Sequence, residues 1–237
     1  MIACATVIEE MLPLMPPNME YEVLDFGLHV RPEELKVTLQ RTINNSASSV
    51  KNIILGYGLC SQAVVGLKAE ACTLIVPRVD DCIAIFLGSE TAYRQQLLSV
   101  PGTYYLTKGW IKAGDTPFDE YDILVKRYGE VKARLIINQL LKNYTRLVLI
   151  NTGQDELEYC RNHTRRIAEQ FNLRYEEIKG SNILIKKMLY GQWDDNFVIA
   201  NPGKTISFID FKKVDQNRNI LRKNIDAVDT SRTVITT

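Results

Sequence analysis

Asn52–Ser89, NIILGYGLCSQAVVGLKAEACTLIVPRVDDCIAIFLGS, decides the fold. Asn52–Leu55 is a short apolar run closed by Gly56-Tyr-Gly-Leu-Cys60. Leu74–Val76 is a second, closed by Pro77-Arg-Val-Asp-Asp-Cys82. Both have the length and β-branched content of buried parallel strands. The stretch therefore reads as strand, tight turn, short helix, strand, tight turn, helix. A cysteine sits at each strand-to-helix handover, the edge of an open α/β sheet at which ligands bind.

Working outward, Met1–Val7 reads as a first strand carrying Cys4, and Tyr21–Leu28 as a second. Pro32 suits the first turn of a helix whose apolar face is Leu35, Leu39 and Ile43. A helix is expected from Cys82 to Leu98. Gly102–Trp110 reads as a strand with an aromatic exit, and Phe118–Asn143 as a long helix that Gly129 bends or splits. Arg146–Ile150, Leu173–Ile178 and Phe197–Ala200 are further strands, with a helix from Asp155 to Phe171 between the first two and another ending near Trp193. Thr205–Phe211 reads as a last antiparallel strand. Strands alternating with helices imply parallel βαβ units. One continuous sheet and two halves both satisfy that pattern. The expected fold is α/β, with mostly parallel sheets, helices on both faces and two Rossmann-like halves sharing a cleft. The expected bounds are 1–115, 116–211, and a polar tail, 212–237, that serves as a docking arm.

Composition narrows the function. The 237 residues are 46% hydrophobic and 24% charged, with a formal net charge of +1, so bulk charge favours neither nucleic acid nor acidic membrane as a partner. No apolar run approaches the roughly 20 residues of a membrane span, and MIACATVIEEM has no basic leader. A cytoplasmic protein is expected. Five cysteines without compact spacing do not make a disulfide framework.

Cys4, Cys60 and Cys82 differ from Cys72 and Cys160 because each ends a strand-like run. If those strands are neighbours, three sulfurs converge above one edge. Thiolates there suit zinc or an iron–sulfur cluster, with His29 as a nitrogen ligand. The plain alternative is three small buried hydrophobes. Tyr57, Gly58 and Ser61 border a turn whose backbone N–H groups can hold an anion, or which is simply tight. Arg78 follows a strand end, where it can clamp a carboxylate or phosphate. Asp80 or Asp81 can cap the next helix. Thr107 and Trp110 are placed to wall a pocket, although aromatics at this density more often build core.

Tyr57-Gly-Leu-Cys60, Pro77-Arg78 with Asp81-Cys82-Ile83, Phe86-Leu-Gly88-Ser89, and Gly102-Thr-Tyr-Tyr-Leu-Thr107 followed by Gly109-Trp110 resemble the family catalogued as domain of unknown function 1638. Leu28-His29 with Pro32-Glu33, and Trp193 with Phe197 and Pro202-Gly203, extend the resemblance over roughly Ile2–Gly203. The chain departs from it at Val79-Asp80, where the family typically has alanine and histidine. If that histidine is a ligand, Asp80 must replace it. The resemblance singles out Cys4, His29, Cys60, Arg78, Asp81 and Cys82. It also implies a setting beside the corrinoid-dependent methyl-transfer systems of methanogenic archaea and anaerobic bacteria. The function expected is a metal- or small-anion-binding protein with a thiolate-lined cleft, serving one-carbon metabolism. It would be a metal–thiolate methyltransferase or an accessory redox protein, with a small-molecule ligand and a corrinoid or methyltransferase protein as partner. The alternative is a non-catalytic module that holds a cofactor or partner in the same cleft.

Overall fold

The computed structural model describes residues 1–60, 62–114 and 116–212. The expected tail, apart from Lys212, and Ser61 of the expected anion loop lie outside the described residues. Eight strands are described: β1 (Ile2–Cys4), β2 (Glu22–Leu24), β3 (Asn52–Gly56), β4 (Thr73–Pro77), β5 (Thr103–Leu106), β6 (Arg146–Asn151), β7 (Arg174–Lys179) and β8 (Phe197–Ala200). The helices are α1 (Ala5–Met11), α2 (Pro32–Ser46), α3 (Ile83–Leu87), α4 (Glu90–Ser99), α5 (Lys108–Ala113), α6 (Pro117–Tyr128), α7 (Glu130–Leu141), α8 (Leu157–Gln170) and α9 (Ile183–Leu189).

The strands form two sheets with helices around them. The first has the order β2-β1-β3-β4-β8, parallel except for β8, which runs antiparallel to β4. The second is β5-β6-β7, all parallel. The expected neighbours β1, β3 and β4 are adjacent, with Ala3 paired to Gly56 and Ile54 to Ile75. The sheets do not divide at 115/116: β5 pairs in the second sheet, and β8 returns to the first. Short strands buried on both faces give no period that distinguishes a parallel from an antiparallel neighbour.

Several elements differ from expectation. Among the described residues no helix joins β3 to β4; residues 62–66 are a run of turns with Gly66 at φ 92°. Ala63, Val64 and Leu67 are all buried, and the Gly66 N–H donates to the Ile206 carbonyl at 2.8 Å. The helix from Cys82 is two pieces, because Gly88 takes a left-handed conformation at φ 81° and Ser89 caps a new start. Gly129 likewise separates α6 from α7. The second strand shrinks to β2 and gives way to a 3-10 turn over Phe26–Val30. Thr205 makes only an isolated antiparallel bridge to Lys68, and Phe208–Phe211 is a 3-10 turn.

One continuous cluster of buried side chains runs from Ile2 and Leu55 through Phe86 and Trp110 to Leu147 and Ile150, so both sheets share a core. The Ser181 N–H donates to the Phe86 carbonyl at 2.8 Å, and α1 packs on α5. No helix among the described residues is long and apolar enough to cross a membrane.

Candidate functional site at the seam between the sheets

Cys4 ends β1 and is the residue before α1; Cys60 follows β3; Cys82 follows β4 and immediately precedes α3. Adjacent parallel strands deliver all three to one rim. The rim is not an open cleft: Cys4, Cys82, Tyr57, Thr107 and Trp110 are all buried. Tyr57 lies among the three thiols and is acted on by the charge of each. Gly58 is required by a close backbone approach. A Cβ there would lie 2.7 Å from the Val79 carbonyl oxygen, and the Leu59 N–H donates to that oxygen at 2.9 Å. This contact clamps the loop after β3 to the loop after β4. With no helix behind the turn, the expected anion cradle loses its second element. Cys60 itself sits at φ 43°, a conformation costly for a non-glycine residue.

The electrostatics of this rim are one-sided. Burial pushes the Cys4 thiol up to about 11, against the pull of the Thr6 and Val7 amides. Burial also raises Cys60, and the charges of Asp81 and Cys4 raise it further. Cys82 is raised by burial, then by Asp81, Cys60 and Cys4. Tyr57 is raised by burial and by the three thiols. The groups that act most strongly on these four include no lysine or arginine. Burial lowers the pKa of His29, which keeps its ring neutral near pH 7, although Asp81 opposes the shift. His29 stacks obliquely on Tyr57 at 5.8 Å between ring centroids and on Phe26 at 5.1 Å.

Buried polar atoms without a protein partner gather at the strand ends. They include the Tyr57 hydroxyl, His29 Nε2 and Thr6 Oγ1 on the first-sheet side, and Thr107 Oγ1 and Asn182 Oδ1 on the second; Arg78 Nε and the Tyr105 hydroxyl, the latter beside Thr103 and Arg146, lie apart from them. Buried polar groups are normally hydrogen-bonded, so such a concentration marks a place where water, an ion or a ligand belongs. Among the described residues, no three His, Cys, Asp or Glu side chains are arranged to hold a metal ion.

The remaining expected residues divide. Asp81 faces the thiols electrostatically, and its Oδ1 accepts the Ile83 N–H at 2.8 Å. Asp80 does not take the place of the family's histidine: it pairs with Arg94 at 3.0 Å on α4, with half its side chain exposed. Arg78 does not join the thiols either. Its Nη2 donates to the Phe197 carbonyl at 3.0 Å, and it lines a separate depression with Asp194, Asp195 and Asp210. Lys204 lines the same depression and pairs with Asp210, Asp194 pairs with Lys187, and Arg78 Nε is buried without a partner. Trp110 is on α5 rather than in a turn, packed edge-to-face on Phe86 at 5.5 Å and Phe26 at 6.2 Å, so it closes the seam as core. Cys72 and Cys160 are buried free thiols elsewhere.

Sequence reasoning missed Glu10, which is completely buried. Its carboxylate accepts the Gly109 N–H at 3.1 Å and the Thr152 hydroxyl at 2.6 Å. Its carbonyl accepts the Gln154 side chain at 2.9 Å. Around it, Lys108 pairs with Asp155 and with Glu156 (3.1 Å), while Lys112 pairs with Glu9 (2.8 Å). The one sequence signal was a pair of acids, Glu9 and Glu10, directly after an apolar run.

The family model described as "Protein of unknown function (DUF1638)" matches residues 23–189, and the chain belongs to that family. No curated protein and no solved structure matches it.

Proposed function

We propose that the thiol-bearing rim is a site for a soft cation, zinc or iron, with Cys4, Cys60 and Cys82 as sulfur donors and His29 as a nitrogen donor. One observation carries the reading. Burial holds three thiols and a phenol protonated; neighbouring thiols add to this at Cys60, Cys82 and Tyr57, Asp81 adds to it at Cys60 and Cys82, and no lysine or arginine is among the groups that act most on them. A cation is the one kind of partner that would relieve all of them, and sulfur prefers a soft one. The donor set fits: His29 is neutral, and its Nε2 is buried without a partner. Loading requires the sulfurs to draw together. Cys60, in a turn-rich loop at positive φ, is the donor with most reason to move.

When bound, such an ion keeps its sulfur ligands ionised and can ionise a thiol substrate, the activation that methyl transfer to sulfur needs. Tyr57 and His29 would orient whatever approaches the rim, and Phe26, Phe86 and Trp110 would exclude water from it. The corrinoid setting and a corrinoid or methyltransferase partner rest on the family resemblance, and they are part of the proposal.

The second reading is a binding module without catalysis. The partnerless Thr107 and Asn182 atoms on the facing rim favour it, because they suit a small polar molecule held across the seam. Elemental analysis of anaerobically purified protein separates the two. Stoichiometric zinc or iron, lost in Cys60→Ser, is the result expected of the first reading. Metal-free protein that still binds a small molecule would replace it with the second.

A further inference from the structure

α6 exposes an apolar residue with opposite charges placed symmetrically about it. Ile123 is 64% exposed, and Glu120, Lys126 and Arg127 are exposed on the same helix. Glu120 lies three residues before Ile123 and Lys126 three after; Asp119 lies four before and Arg127 four after. Residues three and four apart share a helix face. All five therefore lie along one stripe, acidic at its start, apolar at its centre and basic at its end. α7, which packs against α6, adds Val131 (80% exposed) and Leu135 (66% exposed), one turn apart. Among the described residues, neither Glu120 nor Lys126 has an ion-pair partner.

We infer that this face docks a second copy of the chain through a two-fold axis at Ile123. Antiparallel pairing of α6 with its own copy sets Ile123 against Ile123. It also sets each Glu120 against the other chain's Lys126, and each Asp119 against the other chain's Arg127. A stripe that is its own complement when reversed is what an isologous interface requires, because the same patch must serve both partners. A different protein would need a complementary stripe of its own; a second copy carries it already. Ile123 at the centre supplies an apolar contact with the paired charges on either side of it. Asp119 also caps α6 through Thr116, so the inner pair, Glu120 with Lys126, sets the register more than the outer pair does.

The inference is independent of the thiol site and is tested on the full chain by sedimentation velocity at low salt over a concentration series. The wild type should be a dimer and Ile123→Asp a folded monomer with the wild type's far-UV circular dichroism, its melting temperature no longer dependent on protein concentration. Glu120→Lys and Lys126→Glu, each placing like charges opposite one another, should both weaken the dimer at least tenfold. The double variant, Glu120→Lys with Lys126→Glu, should restore it. Residues 120 and 126 are six apart and do not face each other within one helix, so recovery could only come across the two-fold. A monomeric wild type would overturn the inference, whether the stripe is bare or covered by residues 213–237 of its own chain. So would a dimer indifferent to Ile123→Asp, and failure of the double variant to recover would overturn the register.

Discussion

The two sheets meet along the same kind of edge, the carboxyl ends of parallel strands, yet the two rims handle charge in opposite ways. At the first rim, Cys4, Cys60, Cys82, Tyr57 and Asp81 act on one another with no lysine or arginine among them. At the second, every acid has a partner. Glu10 accepts from Gly109 and Thr152, while Glu9, Asp155 and Glu156 are held by Lys108 and Lys112. The charges of the second rim are mutually satisfied and latch the halves together, even though Thr107 Oγ1 and Asn182 Oδ1 beside them have no partner. The charges of the first rim are not satisfied, which is how a site for a cation differs from a structural junction of the same topology. Changes at the latch should therefore act on stability, and changes at the thiols on uptake.

Gly109→Ala is the strongest way to break that contrast. A Cβ there would lie 2.2 Å from the Thr6 carbonyl oxygen, backbone against backbone, where α5 crosses α1. The gain of about 1 kcal/mol in helix propensity is small beside separating the two helices, and a loss of about 4 kcal/mol is expected in urea unfolding. Glu10→Ala should follow at about 3 kcal/mol, since it strands a buried N–H and a buried hydroxyl. By contrast, Cys60→Ser should change the stability of metal-free protein by less than about 1 kcal/mol.

The pH dependence sharpens the comparison at the first rim. Below the ordinary thiol value of 9.0, both folded and unfolded states keep the Cys4 proton, and its contribution to stability is complete. Above that value the unfolded chain ionises while the folded thiol stays protonated up to about 11, so stability falls as pH rises across that window. For Cys4 the fall amounts to about 3 kcal/mol. Urea midpoints of reduced, metal-free protein should decline through this range, less steeply in Cys4→Ala. A flat profile would contradict the buried, neutral thiols. The smallest effect belongs to Lys112→Met, which removes exposed ion pairs at the latch; no measurable shift in melting temperature is expected.

The first rim was legible because β3 and β4 are apolar runs ending in cysteines, and because β1 needed only to lie beside them. The rest was hidden for identifiable reasons. GTYYLTKGW reads as one strand, since Gly109 is a poor helix former and its place in α5 is set by contact with Thr6, far away in sequence. Glu10 resembles any surface acid until the second sheet closes over it. The half-buried turns at 62–66 carry the same residue types as a short helix. Asp80 and Asp81 are adjacent in sequence, and only the fold turns one to Arg94 and the other to the thiols.

The central claim is that the three thiols are protonated in the metal-free protein and give up their protons to a single ion. Calorimetric titration of reduced, metal-free protein with zinc near neutral pH, repeated in buffers of different ionisation enthalpy, counts the protons released per ion bound. The account predicts one ion per chain and about three protons released, falling to about two in Cys60→Ser if binding survives. No stoichiometric uptake, or an ion bound with no proton released, would contradict it.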